Sequence, residues 1–260
     1  LRELVAVLWR QVATTTEPGR KRELLVELAQ LCGEKLGDRD AAVAAWREIR
    51  KLKEDDAQAL AALPRLLNEC GRFDELAELL EWRAAQAEKQ GKTEESLELL
   101  VVLGRVRLSR LADPRGALSL FQDVVARRPG HAGAVAALEE MARGEGGLRA
   151  EAAMALEPVF AQGGDYLKLV QMLEARSQTS PPIEKAMLLR RVAELYSGPL
   201  ASVEMAFVYA SRALDAAPDD PDSLAAVLQH AKPAGALEEC ATLLEGVGEK
   251  ARTDEARIAI

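Results

Sequence analysis

Two histidines, His131 and His230, and three cysteines, Cys32, Cys70 and Cys240, are what the chain offers for proton transfer near neutral pH or for thiolate chemistry. They do not combine. The sequence has no His-Glu-x-x-His, no Cys-x-x-Cys and no Ser/His/Asp spacing, so it spells out neither a zinc site nor a nucleophilic triad. His131 follows Pro129-Gly130 where a helix begins and His230 lies near a helix end, so both read as surface or capping residues. The cysteines, odd in number and far apart, read as small buried hydrophobes. Gly144-Glu145-Gly146-Gly147 lacks a preceding strand and a following Lys-Ser/Thr, and its glutamate would oppose a phosphate, so it reads as a linker. Trp9, Trp46 and Trp82 would suit base stacking, but each falls on the apolar stripe of a predicted helix and reads as core. No catalytic residue, cofactor or metal is therefore expected, and the chain reads as a non-enzyme.

The elements that would position any other function are helices. Of 260 residues 48% are hydrophobic and only 4% aromatic, with alanine, leucine, glutamate and arginine dominant, a composition that favours helix over strand. The net charge of −8 argues against a protein held to nucleic acid by phosphate neutralisation. No apolar run reaches the ~18 residues of a membrane span and no signal peptide is visible, so a cytoplasmic protein without membrane insertion is expected.

Residues 2–13 form one amphipathic helix, stopped by Thr16-Glu17-Pro18-Gly19. Beyond Arg20 the pattern recurs. Glu23-Leu24-Leu25-Val26-Glu27-Leu28-Ala29, Glu98-Leu99-Leu100-Val101-Val102-Leu103-Gly104 and Met187-Leu188-Leu189-Arg190-Arg191-Val192-Ala193 share one register, and each ends on a small residue that admits a neighbouring helix closely. A second helix follows each: Ala42, Trp46, Ile49; Ala117, Phe121, Val124; Ala206, Ala210, Ala213. Between these lie pairs marked by a glycine and then a large apolar residue: Gly71 and Phe73, Gly164 and Tyr166, Gly235 and Leu237. The glycine suits a left-handed helix C-cap.

One supersecondary unit recurring about every 35–40 residues is the mark of a helical solenoid. The chain resembles the tetratricopeptide repeat family, in particular the degenerate alanine- and leucine-rich arrays of long bacterial scaffold proteins. The family's tryptophan slot holds Leu25, Leu100 and Leu189 here, and its tyrosine slot is kept only at Tyr196. The resemblance implies an all-α, right-handed α-α superhelix of about six helix pairs, with repeats near 22–56, 57–90, 97–130, 150–183, 186–219 and 221–252 in one solenoid over 1–260. One further helix is expected near 131–162, where 131–143 is followed by the glycine linker and then by 148–162, and Pro158 is expected to bend the latter. Residues 253–260 read as the start of another first helix, so both ends look cut within a longer array, and apolar end faces would favour end-to-end self-association.

In this family the first helix of each pair lines the concave groove. By register that places Glu23, Val26, Glu27 and Gln30, then Glu98, Val101, Val102 and Arg105, then Met187, Arg190, Arg191 and Glu194 on the groove, with Gln58, Arg65 and Asn68 nearby. Glu27, Gln30, Arg65, Asn68, Arg105, Arg190, Arg191 and Glu194 are the expected partner contacts, and Arg105, Arg190 and Arg191 the expected anion contacts. The family's clamp for acidic chaperone C-termini uses two asparagines, and this chain has only Asn68. The sequence thus points to a scaffold that binds another protein or peptide along its concave face; the alternative reading is a regulatory repeat domain that senses a ligand or peptide by changing curvature.

Overall fold

The structure, a computed structural model, describes residues 1–250. The segment 253–260, expected to open a further helix, lies outside the described residues. Among the described residues there are fourteen α-helices and no strand. The chain divides into two compact units, Leu1–Ala117 and Leu118–Ile260.

The first unit contains α1 (Arg2–Thr14), α2 (Pro18–Gln30), α3 (Arg39–Leu52), α4 (Ala57–Glu69), α5 (Phe73–Lys89) and α6 (Thr93–Ser109); α2 runs on into a π-helical stretch, Leu31–Leu36. From α1 to α6 each helix packs on the next. α7 (Pro114–Arg127) carries the chain into the second unit, which holds α8 (Ala132–Arg143), α9 (Arg149–Gly163), α10 (Tyr166–Ser177), α11 (Pro182–Ser197), α12 (Val203–Ala216), α13 (Pro221–Ala234) and α14 (Leu237–Lys250). From α8 to α14 neighbours again pack in sequence, and α11 also meets α13. α8 packs on α9 and also meets α10. α9 continues through Pro158.

The apolar stripes account for this packing. Leu24, Leu25, Leu28 and Ala29 of α2 are buried, as are Leu188, Leu189, Val192 and Ala193 of α11, matching residue for residue. Ala42, Ala117 and Ala206, the small residues of the second helices, have no exposed surface. A methyl group at such a crossing lets two backbones approach where a larger side chain would hold them apart.

Two loop designs recur. In one, a left-handed glycine ends the helix: Gly71, Gly91, Gly164 and Gly235 have φ between 68° and 72°. In each, the residue after the glycine donates its N–H to a carbonyl five residues back, as Arg72 does to Leu67 and Asp165 to Phe160, which satisfies a helix-end acceptor. In the other design the left-handed residue stands just before the N-cap of the following helix, at Gly37, Ala112 and Ala201. The next residue, Asp38, Asp113 or Ser202, donates to a carbonyl six back, Cys32, Arg107 or Tyr196, at 2.7–2.9 Å. Two of the three copies thus place alanine at φ near 50°, which its Cβ disfavours.

Urea titration of single variants tests both features. Leu28→Ala, at a site with no exposed surface, should lower the unfolding free energy by about 3 kcal/mol. Gly37→Ala should cost about 1 kcal/mol, whereas Ala112→Gly and Ala201→Gly should leave stability unchanged or raise it.

Candidate functional site

The side chains that tie consecutive first helices together set which residues remain available. Arg22 of α2 donates from Nε to Asp56 Oδ2 at 2.6 Å and from Nη2 to Gln58 Oε1 at 2.9 Å. Asp56 is the N-cap of α4, and its Oδ1 accepts the N–H groups of Gln58 and Ala59. Burial acts against the charge on Asp56, but the Arg22 guanidinium and the two N–H groups outweigh it and hold the carboxyl below its ordinary value. The second unit repeats the arrangement. Arg190 of α11 donates to Asp220 Oδ2 at 2.9 Å and reaches Asp222 at 3.2 Å, at the start of α13. In the other direction, Arg191 donates at 2.9 Å to Glu157 of α9, whose second oxygen accepts from Arg176 of α10 at 2.6 Å. Glu157 is buried, so this ion pair lies between three helices. A fourth link joins α8 to α10, where buried Glu139 accepts from Lys168 at 2.9 Å and from Arg143. There too burial raises the carboxyl pKa and the two cations more than reverse it.

The expected partner contacts separate into two groups. Glu27 and Gln30 on α2, Arg65 and Asn68 on α4, Arg105 on α6 and Glu194 on α11 are exposed. With Glu23, Glu98, Val102 and Met187 they form stripes: Glu23, Glu27 and Gln30, and Glu98, Val102 and Arg105, at i, i+4, i+7; Arg65 and Asn68 at i, i+3; and Met187 and Glu194 at i, i+7, with exposed Arg191 between them. Two members are apolar and yet in water, Val102 at 45% and Met187 at 51% exposure. Arg190 and Arg191 differ, because their guanidinium groups already hold Asp220, Asp222 and Glu157.

Three sequence expectations need correction. Val101 is buried, not on the groove; in α6 it turns inward where α11 has Arg190. Trp46 is core, but Trp9 and Trp82 are only half-buried and line surface hollows. His131 is the capping residue expected, buried as the N-cap of α8 with Nδ1 accepting the Ala134 N–H at 3.4 Å. His230 is neither a surface nor a capping residue: it is buried in α13, where burial lowers its pKa against the opposing pull of Glu194. The half-buried tryptophans were legible in part, since each stands beside charged residues, as in Trp9-Arg10 and Glu81-Trp82-Arg83.

Among the described residues, no three His, Cys, Asp or Glu side chains group as a metal site would require. No helix of the described residues is long and apolar enough to cross a membrane.

No protein-family model matches the sequence, and no curated protein matches it. Solved structures to which the chain is similar include the TPR2AB domain of yeast Sti1 in its pHSP90 complex, at 14% identity over 93% of this chain and 95% of that one, with a TM-score of 0.35. MamA from Desulfovibrio magneticus RS-1 is similar at 14% identity over 88% and 93%, with a TM-score of 0.30. The type IV pilus biogenesis factor PilW is similar at 14% over 91% and 97%, with a TM-score of 0.31. None of these superposes on the chain as a whole. On its own geometry the chain is, over the described residues, an all-α protein whose consecutive helices, α1 to α6 and α8 to α14, pack on one another.

The inter-helix ion pairs predict an acid response. Because the folded carboxyl groups of Asp56 and Glu139 titrate below their ordinary values, their stabilisation is complete above the unfolded pKa and is lost as pH falls through the folded one. Unfolding free energy should therefore decline from about pH 4 downward, and Asp56→Asn should flatten that slope in urea titrations run across the window. Glu157→Ala, which leaves Arg191 without its carboxylate, should cost about 3 kcal/mol at neutral pH.

Proposed function

We propose that the chain is a non-catalytic scaffold in which each unit holds another protein or a peptide on the exposed stripes of its own first helices. One observation carries this reading: the stripes on α2, α4 and α6 of the first unit, and on α11 of the second, stay exposed and mix carboxylates, amides and guanidinium groups with apolar Val102 and Met187. Val102 and Met187 place an apolar contact beside the polar ones, a combination that a partner's side chains can cover. Ion pairs beneath the stripes fix the spacing of adjacent first helices and so present a preorganised surface. Arg105, Glu27, Gln30, Arg65, Asn68 and Glu194 supply the polar contacts. Arg191, exposed between Met187 and Glu194 while it holds Glu157, adds a guanidinium to that stripe, and Arg190 acts beneath it as a positioning residue. One of the similar structures is described by what it binds: the Sti1 domain is in complex with pHSP90.

Photo-crosslinking in extract of the native cell tests the proposal. A benzophenone side chain introduced at Val102 or Met187 should capture a discrete partner, and one at exposed Val208 on the second helix α12 should not. Val102→Glu combined with Met187→Glu should abolish capture with helicity unchanged. Equal capture from Val208, or capture that survives the double substitution, would overturn the reading.

A further inference from the structure

The opposite side of the first unit carries a feature that the first-helix face does not explain. Trp9 of α1, Arg47, Arg50 and Lys51 of α3, and Trp82 of α5 lie on alternate helices, the second-helix side of the array. Three hollows adjoin there. One of about 360 Å³ is lined by Trp9, Ala44, Arg47, Glu48 and Lys51. The next, about 540 Å³, shares Arg47 and Lys51 and adds Arg50, Leu52 and Glu54. The third, about 520 Å³, shares Glu54 and reaches Leu60 and Trp82, with Asp55 and Glu95 balanced by Arg83 and Lys92 on its wall. The result is a furrow with a half-buried tryptophan at each end and three cations between them.

The cations are not equivalent. Arg47 lies 3.0 Å from Glu75, and Lys51 2.5 Å from Glu48, but both side chains are more than half exposed, and ion pairs of that kind are weak in water. Arg50 is different. Its guanidinium stacks 4.6 Å above the Trp82 ring and donates only to the Glu54 carbonyl, at 3.4 Å. Among the described residues no carboxylate comes within ion-pair distance of it. Burial disfavours its charge, Glu54 supports it, and neighbouring Arg47 opposes it. A half-buried guanidinium held flat by an aromatic ring, with its edge free, is the fork that a carboxylate fits.

We propose that this furrow binds an extended acidic segment of a partner protein, with carboxylates on Arg50, Arg47 and Lys51 and apolar side chains against Trp9 and Trp82. Alternation of side chains along an extended peptide suits a surface whose cations and aromatic rings are interspersed. A continuous phosphate backbone suits it less, because Glu48, Glu54 and Glu75 stand among the cations and repel a charge at every step. The furrow shares no residue with the first-helix stripes, so the two surfaces can fail separately.

Fluorescence anisotropy at low ionic strength tests it with a labelled peptide of about ten residues that alternates glutamate with leucine and phenylalanine. The whole chain should bind saturably, and Arg50→Glu should weaken binding about tenfold or more. Lys51→Glu, at a side chain 71% exposed, should weaken it as well with helicity unchanged. Tryptophan emission should shift on binding, and less so in Trp82→Phe. Val102→Glu should leave the affinity unchanged. Equal binding of the peptide with every glutamate replaced by glutamine would overturn the proposal, as would indifference to Lys51→Glu. Loss of binding in Val102→Glu would move the peptide to the first-helix face, and tighter binding of oligouridylate than of the peptide would make the furrow a nucleic-acid site; either result overturns it.

Discussion

Close approach of one helix to the next is the constraint from which the rest of this structure follows. An isolated hairpin of α2 and α3 or of α11 and α12 has apolar side chains on more than one flank, and only a neighbouring helix can cover the second. The small residues at the crossings, Ala29, Ala42, Ala193 and Ala206, are all buried, and they set the distance at which Leu25, Leu28, Leu189 and Val192 can interdigitate. A larger side chain at any of them would force the flanking leucines off their rotamers. That is also why alanine, which buries little area itself, is so abundant. It yields space to its neighbours.

Once the apolar flanks are committed to neighbours, the charged groups are confined to the margins, and the margins recur with the repeat. Arg22 with Asp56 and Arg190 with Asp220 are the same device in two units: a first helix reaches the acidic N-cap of the next first helix. The acceptor is already oriented by its helix, because Asp56 caps the N–H groups of Gln58 and Ala59 while it receives the guanidinium. Charge pairs of this geometry contribute register more than raw stability. Glu157 extends the idea inward, since one buried carboxylate binds cations from two other helices and fixes all three at once.

Helix positions were legible in the sequence because their signal is local. Apolar residues repeat at helical spacing, and Gly71, Gly164 and Gly235 mark C-caps by a backbone preference that glycine alone satisfies cheaply. Ala112 and Ala201 adopt the same left-handed region without any such mark, so the likeness of their loops to the one at Gly37 emerges only in three dimensions. The site was legible to the same degree. Exposure of Glu27, Gln30, Val102 and Glu194 follows from helical phase, which sequence reports well. The engagement of Arg190 and Arg191 does not, because their carboxylates lie 30 and 34 residues away, and phase says nothing about what a long side chain meets across a helix boundary. Val101 shows the converse limit: one position of drift in register moves a residue from surface to core. Trp9 and Trp82 sit at the edge of their stripes, where half of a large ring can be covered while the other half stays in solvent.

This division of labour has a consequence for how such a protein can change. Stability resides in buried alanine and leucine contacts, while the few carboxylates that join helices fix their register. The exposed stripes of α2, α4, α6 and α11 contribute little to it, since solvent-facing substitutions on a helix usually shift stability by only about half a kcal/mol. Residues there can therefore change without cost to folding. The furrow between Trp9 and Trp82 is bound more tightly to the fold, because Arg50 and Trp82 pack on each other and join α3 to α5. A binding surface that is also a helix contact can vary only with its neighbour, and that coupling is what separates the two faces of the first unit physically.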